Sequence, residues 1–256
     1  MSATSERPDV PYTMVDIDLD QLAGAYQLRP MSDATRSRAI ASAGGLAGVL
    51  LDIGGGTGGH AALWSGPNRT PVVVDPSSVM LAGAIQQRGA RVVQARSQSL
   101  PFADDVAELA YFHLSIHYGD WRAAIAEASR VVSPGGRIEI WTMSHDAIAR
   151  SSLGRWFPRV IEIDTARFPD PKAIAELCRS HDSSVDLMTS SEPIVRTAGN
   201  WAEAVRGRFV STLQLLDDNE IAQGLARFGA EYPNPDSLYR YALRLTRISI
   251  IVGPLR

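Results

Sequence analysis

Val49-Leu50-Leu51-Asp52-Ile53-Gly54-Gly55-Gly56-Thr57-Gly58-Gly59-His60 is the stretch whose reading decides the fold of this chain. An apolar run of strand length breaks into a glycine run, and the pattern predicts a helix starting near Gly58. Glycines at such a turn let backbone N–H groups approach a ligand where a Cβ would clash, which is how doubly wound α/β proteins build nucleotide sites. Two templates fit. Gly54, Gly56 and Gly59 satisfy the dinucleotide pattern G-x-G-x-x-G, whereas Asp52, Gly54, Gly56 and Gly58 satisfy acidic-x-G-x-G-x-G. Glycine spacing alone does not choose between them.

Outward from that run the chain alternates strand and helix signals. Strands are expected at Val49–Ile53, Pro71–Asp75, Ala90–Gln94, Glu108–Phe112 and Arg137–Met143, with helices beginning near Gly58, Ser77 and Asp120. Such alternation implies right-handed βαβ units and a parallel sheet. Ser133-Pro134-Gly135-Gly136 reads as a hard stop before the Arg137 strand. Helical spacing over residues 16–45 ends at Gly44-Gly45 and predicts an N-terminal cap over residues 1–45, ahead of a catalytic domain over 46–256. Beyond it, a helix at Pro171–Ser180, a strand near Ser184–Met188 and a last strand at Leu243–Val252 are expected. The residues between the last two, about 192–240, are too many for a simple connection and predict a helical cap insertion. The fold class expected is therefore α/β, a doubly wound, mostly parallel seven-stranded sheet with two helical caps.

Composition narrows the function. The chain has 256 residues, 45% of them apolar, and no apolar run long enough to span a bilayer, so no membrane partner is expected. Met1–Pro8 lacks the apolar core of a signal peptide, which points to a cytoplasmic protein. A net charge of −3 argues against a nucleic-acid partner. One cysteine, Cys178, rules out an internal disulfide and a cysteine-rich metal site, and reads as a small apolar residue in a helix. Lys172 is the one lysine, so 24 of the 25 basic residues are arginine, a bias that fits a GC-rich bacterial genome. A homodimer is the commonest assembly for such a chain, although no patch marks an interface.

Four more segments arbitrate the glycine run. They are Val72-Val73-Val74-Asp75-Pro76-Ser77-Ser78-Val79-Met80-Leu81, Ser99-Leu100-Pro101-Phe102-Ala103-Asp104-Asp105, Leu114-Ser115-Ile116-His117-Tyr118 and Ala126-Glu127-Ala128-Ser129-Arg130-Val131-Val132-Ser133-Pro134-Gly135-Gly136. Together with the glycine run, in this order and spacing over residues 50–143, they resemble the class I (Rossmann-like) S-adenosylmethionine (SAM) dependent methyltransferases. The ubiquinone/menaquinone-biosynthesis-like group that methylates small molecules is the nearest in pattern. A dehydrogenase would explain neither the Pro-Gly-Gly strand entry nor the long cap.

The resemblance implies an enzyme with SAM as cofactor, S-adenosylhomocysteine as product, no metal, and a small-molecule methyl acceptor. It implies that Asp52 orients the glycine loop and helps hold the methionine ammonium, and that Gly54, Gly56 and Gly58 pass beneath the cofactor. Asp75 would take the ribose diol, with Pro76 beside it, Met80 would pack on the adenine, and Tyr26 would close over the site. Arg96 stands where the family has an adenine-binding carboxylate. An arginine only donates, so Ser97 or Gln98 is expected to replace the acceptor, with stacking by Arg96 or weakened SAM binding as alternatives. His113, His117 and His145 fall at strand carboxyl ends and are the candidate bases, in that order. Arg29, Trp141 and Trp156 are candidates for contacting the acceptor. Two other readings stay open: a SAM-fold protein without methyl transfer (a cyclase or regulatory binder), or an enzyme acting on RNA or protein. Phe112-His113-Leu114-Ser115 lacks the Asn/Asp-Pro-Pro-Tyr signature of amino-group methylation, which counts against the latter.

Overall fold

A computed structural model describes residues 17–25, 31–179 and 183–253. Seven strands, β1 (Gly48–Ile53), β2 (Arg69–Asp75), β3 (Arg91–Gln94), β4 (Ala107–His113), β5 (Val132–Thr142), β6 (Ser184–Thr197) and β7 (Leu238–Ile251), form one sheet in the order β3-β2-β1-β4-β5-β7-β6. β7 pairs antiparallel with both its neighbours, and every other pairing is parallel. The inner strands read as continuous apolar runs because both faces are covered. Leu51, Ile53, Ala110 and Phe112 point to one core, while Leu50, Val73, Leu109 and Tyr111 point to the other.

Helices α1 (Leu19–Ala25) and α2 (Asp33–Ser42) precede the sheet, and α3 (Ser78–Arg88) and α4 (Trp121–Val131) form its crossovers. Ser77 and Asp120 cap α3 and α4, their side chains accepting N–H groups of the first turns. The helix expected near Gly58 is absent. Only a 3-10 turn, Ala61–Trp64, forms there, because Gly66-Pro67 and Asn68 (φ 62°) turn the chain into β2 too soon. Two of the quoted segments are tied by hydrogen bonds. Arg130 donates to the carbonyls of Leu100 and Phe102 and to Asp104, and Glu127 accepts the Leu100 N–H.

Ser133–Gly136 is not a stop between elements. β5 begins at Val132, and these residues bulge out between the pairs Ala107↔Val132 and Leu109↔Arg137. β6 and β7 are also longer than expected, fourteen residues each, so the insertion spans 198–237 rather than 192–240. Pro193 is tolerated because β6 is an edge strand.

The cap consists of α6 (Ser152–Trp156) and α7 (Arg159–Arg167), which follow the short α5 (His145–Ala149), together with α9 (Ala198–Arg206), α10 (Ser211–Gln214) and α11 (Asp218–Glu231). The remaining helix, α8 (Pro171–Arg179), packs on the sheet. The cap has its own core, in which Trp201 packs on Phe228 with centroids 4.1 Å apart and Trp156 donates to the Tyr239 hydroxyl at 2.9 Å.

Candidate active site

The chain runs outward from β1 to β3 and then returns to β4 on the other side of β1, so a crevice opens at the carboxyl ends of β1 and β4. A cavity of about 370 Å³ lies there, walled by the strand ends on one side and by α1 and the cap on the other.

The glycine loop is built for close approach. Gly54, Gly56 and Gly58 have φ of +69°, +55° and +76°, values that only glycine adopts freely. Gly54 and Gly56 line the cavity. Gly58 does not, and a Cβ there would lie 3.1 Å from Val73 and 3.3 Å from Ala84, so Gly58 lets the loop pack on β2 and α3.

Asp75, at the end of β2, joins two backbone segments. It accepts the Gly56 N–H and the Ser77 N–H, each at 2.9 Å, while facing the cavity. Burial raises its pKa, and those two N–H groups oppose the rise. Asp52 lies beneath the loop, outside the cavity wall. It accepts the Ala61 N–H at 3.2 Å, and a Cβ on Gly55 would come within 2.6 Å of its carboxyl carbon. Its pKa is pushed up to about 7, chiefly by burial, against the Ala61 N–H and with a contribution from Asp75.

Because the native carboxyl titrates at about 7 and the unfolded one at 3.8, the native state holds the extra proton between those values. Stability from Asp52 is thus full at low pH and is lost as pH rises from about 4 through 7, on the order of a few kcal/mol. Denaturant midpoints across that range should fall with pH in the wild type, and less steeply in Asp52→Asn. Equal slopes would contradict the assignment.

Pro76, Met80, Ser97 and Gln98 all line the cavity, as does Arg96. His113 and His117 line it too. His117 stacks on Phe168 with centroids 3.8 Å apart. His145 does not reach the cavity, because its Nε2 pairs with the Phe168 carbonyl at 3.0 Å. Contrary to the expectation for acceptor contacts, neither Trp141 nor Trp156 lines the cavity. Trp141 is covered by α2, with Arg38 4.8 Å over its ring and its N–H on Glu139 at 2.7 Å. Trp156 belongs to the cap core. Tyr26 and Arg29 lie outside the described residues.

Several wall residues carried no sequence signal. His60 ends the quoted stretch, lies 4.6 Å from His113 between ring centroids, and is held neutral by burial and by Arg38, its pKa lowered to about 4. At 3.9 Å from Asp52 it therefore forms no ion pair. Ser115 donates to the Ile53 carbonyl at 2.7 Å, beneath Gly54. Asp164 enters the wall from α7.

A methyltransferase domain model matches residues 51–140. The malonyl-[acyl-carrier protein] O-methyltransferase of Pectobacterium atrosepticum is 31% identical over 105 residues, 40% of this chain and 42% of that protein, so the match spans about two fifths of that relative. The demethylmenaquinone methyltransferase of Corynebacterium kroppenstedtii is 30% identical over 161 residues, 60% of this chain and 68% of that protein. The chain belongs to the class I SAM-dependent methyltransferases. A solved putative methyltransferase from an antibiotic biosynthesis pathway of Anabaena variabilis shares the fold, with a TM-score of 0.68 and 20% identity over 86% of this chain and 97% of that one. The cofactor of this methyltransferase is SAM, and the site fits it. The positive-φ loop leaves no side chain between backbone and ligand at Gly54 and Gly56, and Asp75 stands at the end of β2 facing the cavity.

Among the described residues no helix is long and apolar enough to cross a membrane.

Proposed function

We propose that this methyltransferase transfers the methyl group of SAM to a small molecule held in the chamber beneath the cap. The lining of the cavity carries this reading. It joins the glycine loop and Asp75 to an apolar wall that includes Phe168, Phe209 and Ile194 from α7's end, the insertion and β6. A pocket roofed by helices suits a metabolite better than a folded macromolecule. The two relatives named above act on different acceptors, so they support the reaction class and not one acceptor.

When bound, SAM supplies an electrophilic methyl on its sulfonium sulfur. The chain contributes placement and proton handling. Asp75 takes the ribose hydroxyls by charge-assisted hydrogen bonds while fixing the loop through Gly56. Ser97 or Gln98 accepts from the adenine amine, since Arg96 cannot. His113, at the end of β4, takes the proton of the acceptor group, and His117, held by Phe168, orients the acceptor.

Incubation with methyl-labelled SAM and a bacterial extract should leave the label in the ultrafiltered small-molecule fraction. Label retained on RNA or protein would favour the macromolecular reading, and no transfer at all would favour a protein that binds SAM without using it. His113→Gln should lower turnover by about 100-fold or more with S-adenosylhomocysteine affinity within twofold of wild type. Unchanged turnover would remove His113 from the chemistry.

A further inference from the structure

The cap side of the cavity holds a carboxylate that no assigned role uses. Asp164 lies on α7 among cavity-lining residues and is 8% exposed. Thr212 of α10 donates to one of its oxygens at 2.5 Å, the one hydrogen bond its carboxylate takes among the described residues. The nearest cation, Arg167, stands 3.8 Å away, beyond hydrogen-bond reach, and spends its own donors on Ser211 at 3.2 Å and Thr212 at 3.1 Å. A carboxylate has about four acceptor positions, so beside the Thr212 bond Asp164 keeps acceptor capacity for a donor in the cavity. Burial raises the Asp164 pKa to about 6 against the Thr212 bond and the Arg167 charge, so the group is largely ionised at neutral pH.

Its position is set by the same helix that builds the catalytic side. The Phe168 N–H closes the last turn of α7 on the Asp164 carbonyl at 2.8 Å, and the Phe168 ring is the one stacked on His117. Asp164 therefore precedes Phe168 by about one helical turn, a rise of about 6 Å along the axis between the two residues.

We infer that Asp164 is a specificity-determining residue that anchors the methyl acceptor through a protonated amine or hydroxyl on that molecule. The acceptor is therefore a molecule with an apolar body that carries, besides the group receiving the methyl, a donor that reaches Asp164. Arg167 is a positioning residue, holding Thr212 against the carboxylate. The inference rests on the reading of this cavity as the acceptor chamber.

The test uses the complex with S-adenosylhomocysteine and three probes of similar shape: phenethylamine, 2-phenylethanol and ethylbenzene. Ligand-detected NMR should rank the amine and the alcohol about tenfold or more above the hydrocarbon in the wild type. Asp164→Leu should abolish that ranking, and Asp164→Asn should lose the preference for the amine while keeping the alcohol. Thr212→Val leaves the carboxylate in place and should keep the amine preferred, which separates anchoring from a merely structural role. S-adenosylhomocysteine affinity should stay within twofold in all three variants. Equal binding of the probes, no binding of any of them, or a preference that survives Asp164→Leu would overturn the inference. Failure of the wild type to bind S-adenosylhomocysteine would instead count against the methyltransferase reading itself.

Discussion

Asp75→Ala is expected to weaken S-adenosylhomocysteine binding by about 100-fold or more, read by calorimetric titration. The carboxylate faces the cavity with burial raising its pKa, and each charge-assisted hydrogen bond to a ribose hydroxyl contributes about 1.5–3 kcal/mol. The same side chain accepts the Gly56 and Ser77 N–H groups, so alanine also frees the glycine loop and the start of α3. Asp75→Asn separates the two effects. An amide keeps one acceptor and loses the charge, so its binding should fall between wild type and alanine. Alanine binding as tightly as wild type would place the ribose elsewhere.

Gly54→Ala is expected to lower both stability and cofactor affinity. The residue has φ +69°, and an added Cβ would lie 2.4 Å from the Ser115 Cβ and 3.0 Å from its Oγ. Overpacking and a strained backbone together cost about 3 kcal/mol, which for a domain of this size lowers Tm by about 10 °C. Ser115 cannot retreat easily, because it is anchored on the Ile53 carbonyl and follows Leu114, itself at φ 53°. Combining Gly54→Ala with Ser115→Gly removes the contacted atoms and should recover part of the loss. The cycle tests whether the two residues are coupled. Additive losses would show that Ser115 does not oppose the new methyl group.

The strands around the site were legible because their signal is local. Val49–Ile53, Pro71–Asp75 and Glu108–Phe112 each carry a short apolar run, and the structure extends each by only one or two residues. The second half of β6 carried no such signal. Thr189-Ser190-Ser191-Glu192-Pro193 is polar, and only pairing with the distant β7 residues Ala242–Thr246 makes it a strand. The tryptophans misled for a related reason. Composition marks Trp141 as a large apolar side chain, but α2 decides what covers it, since Trp141 pairs in register with His113 and then lies under Arg38. Asp164 carried no sequence signal, because only the packing of α10 against α7 brings Thr212 to its carboxylate at the cavity.

The most direct measurement is a crystal structure of the protein soaked with S-adenosylhomocysteine. The ribose hydroxyls are expected within hydrogen-bond distance of Asp75, the adenine beside Ser97 and Gln98, and the sulfur turned toward His113 and the chamber beneath the cap. A sulfur facing bulk solvent, or a nucleoside bound away from Asp75, would contradict methyl transfer inside this cavity.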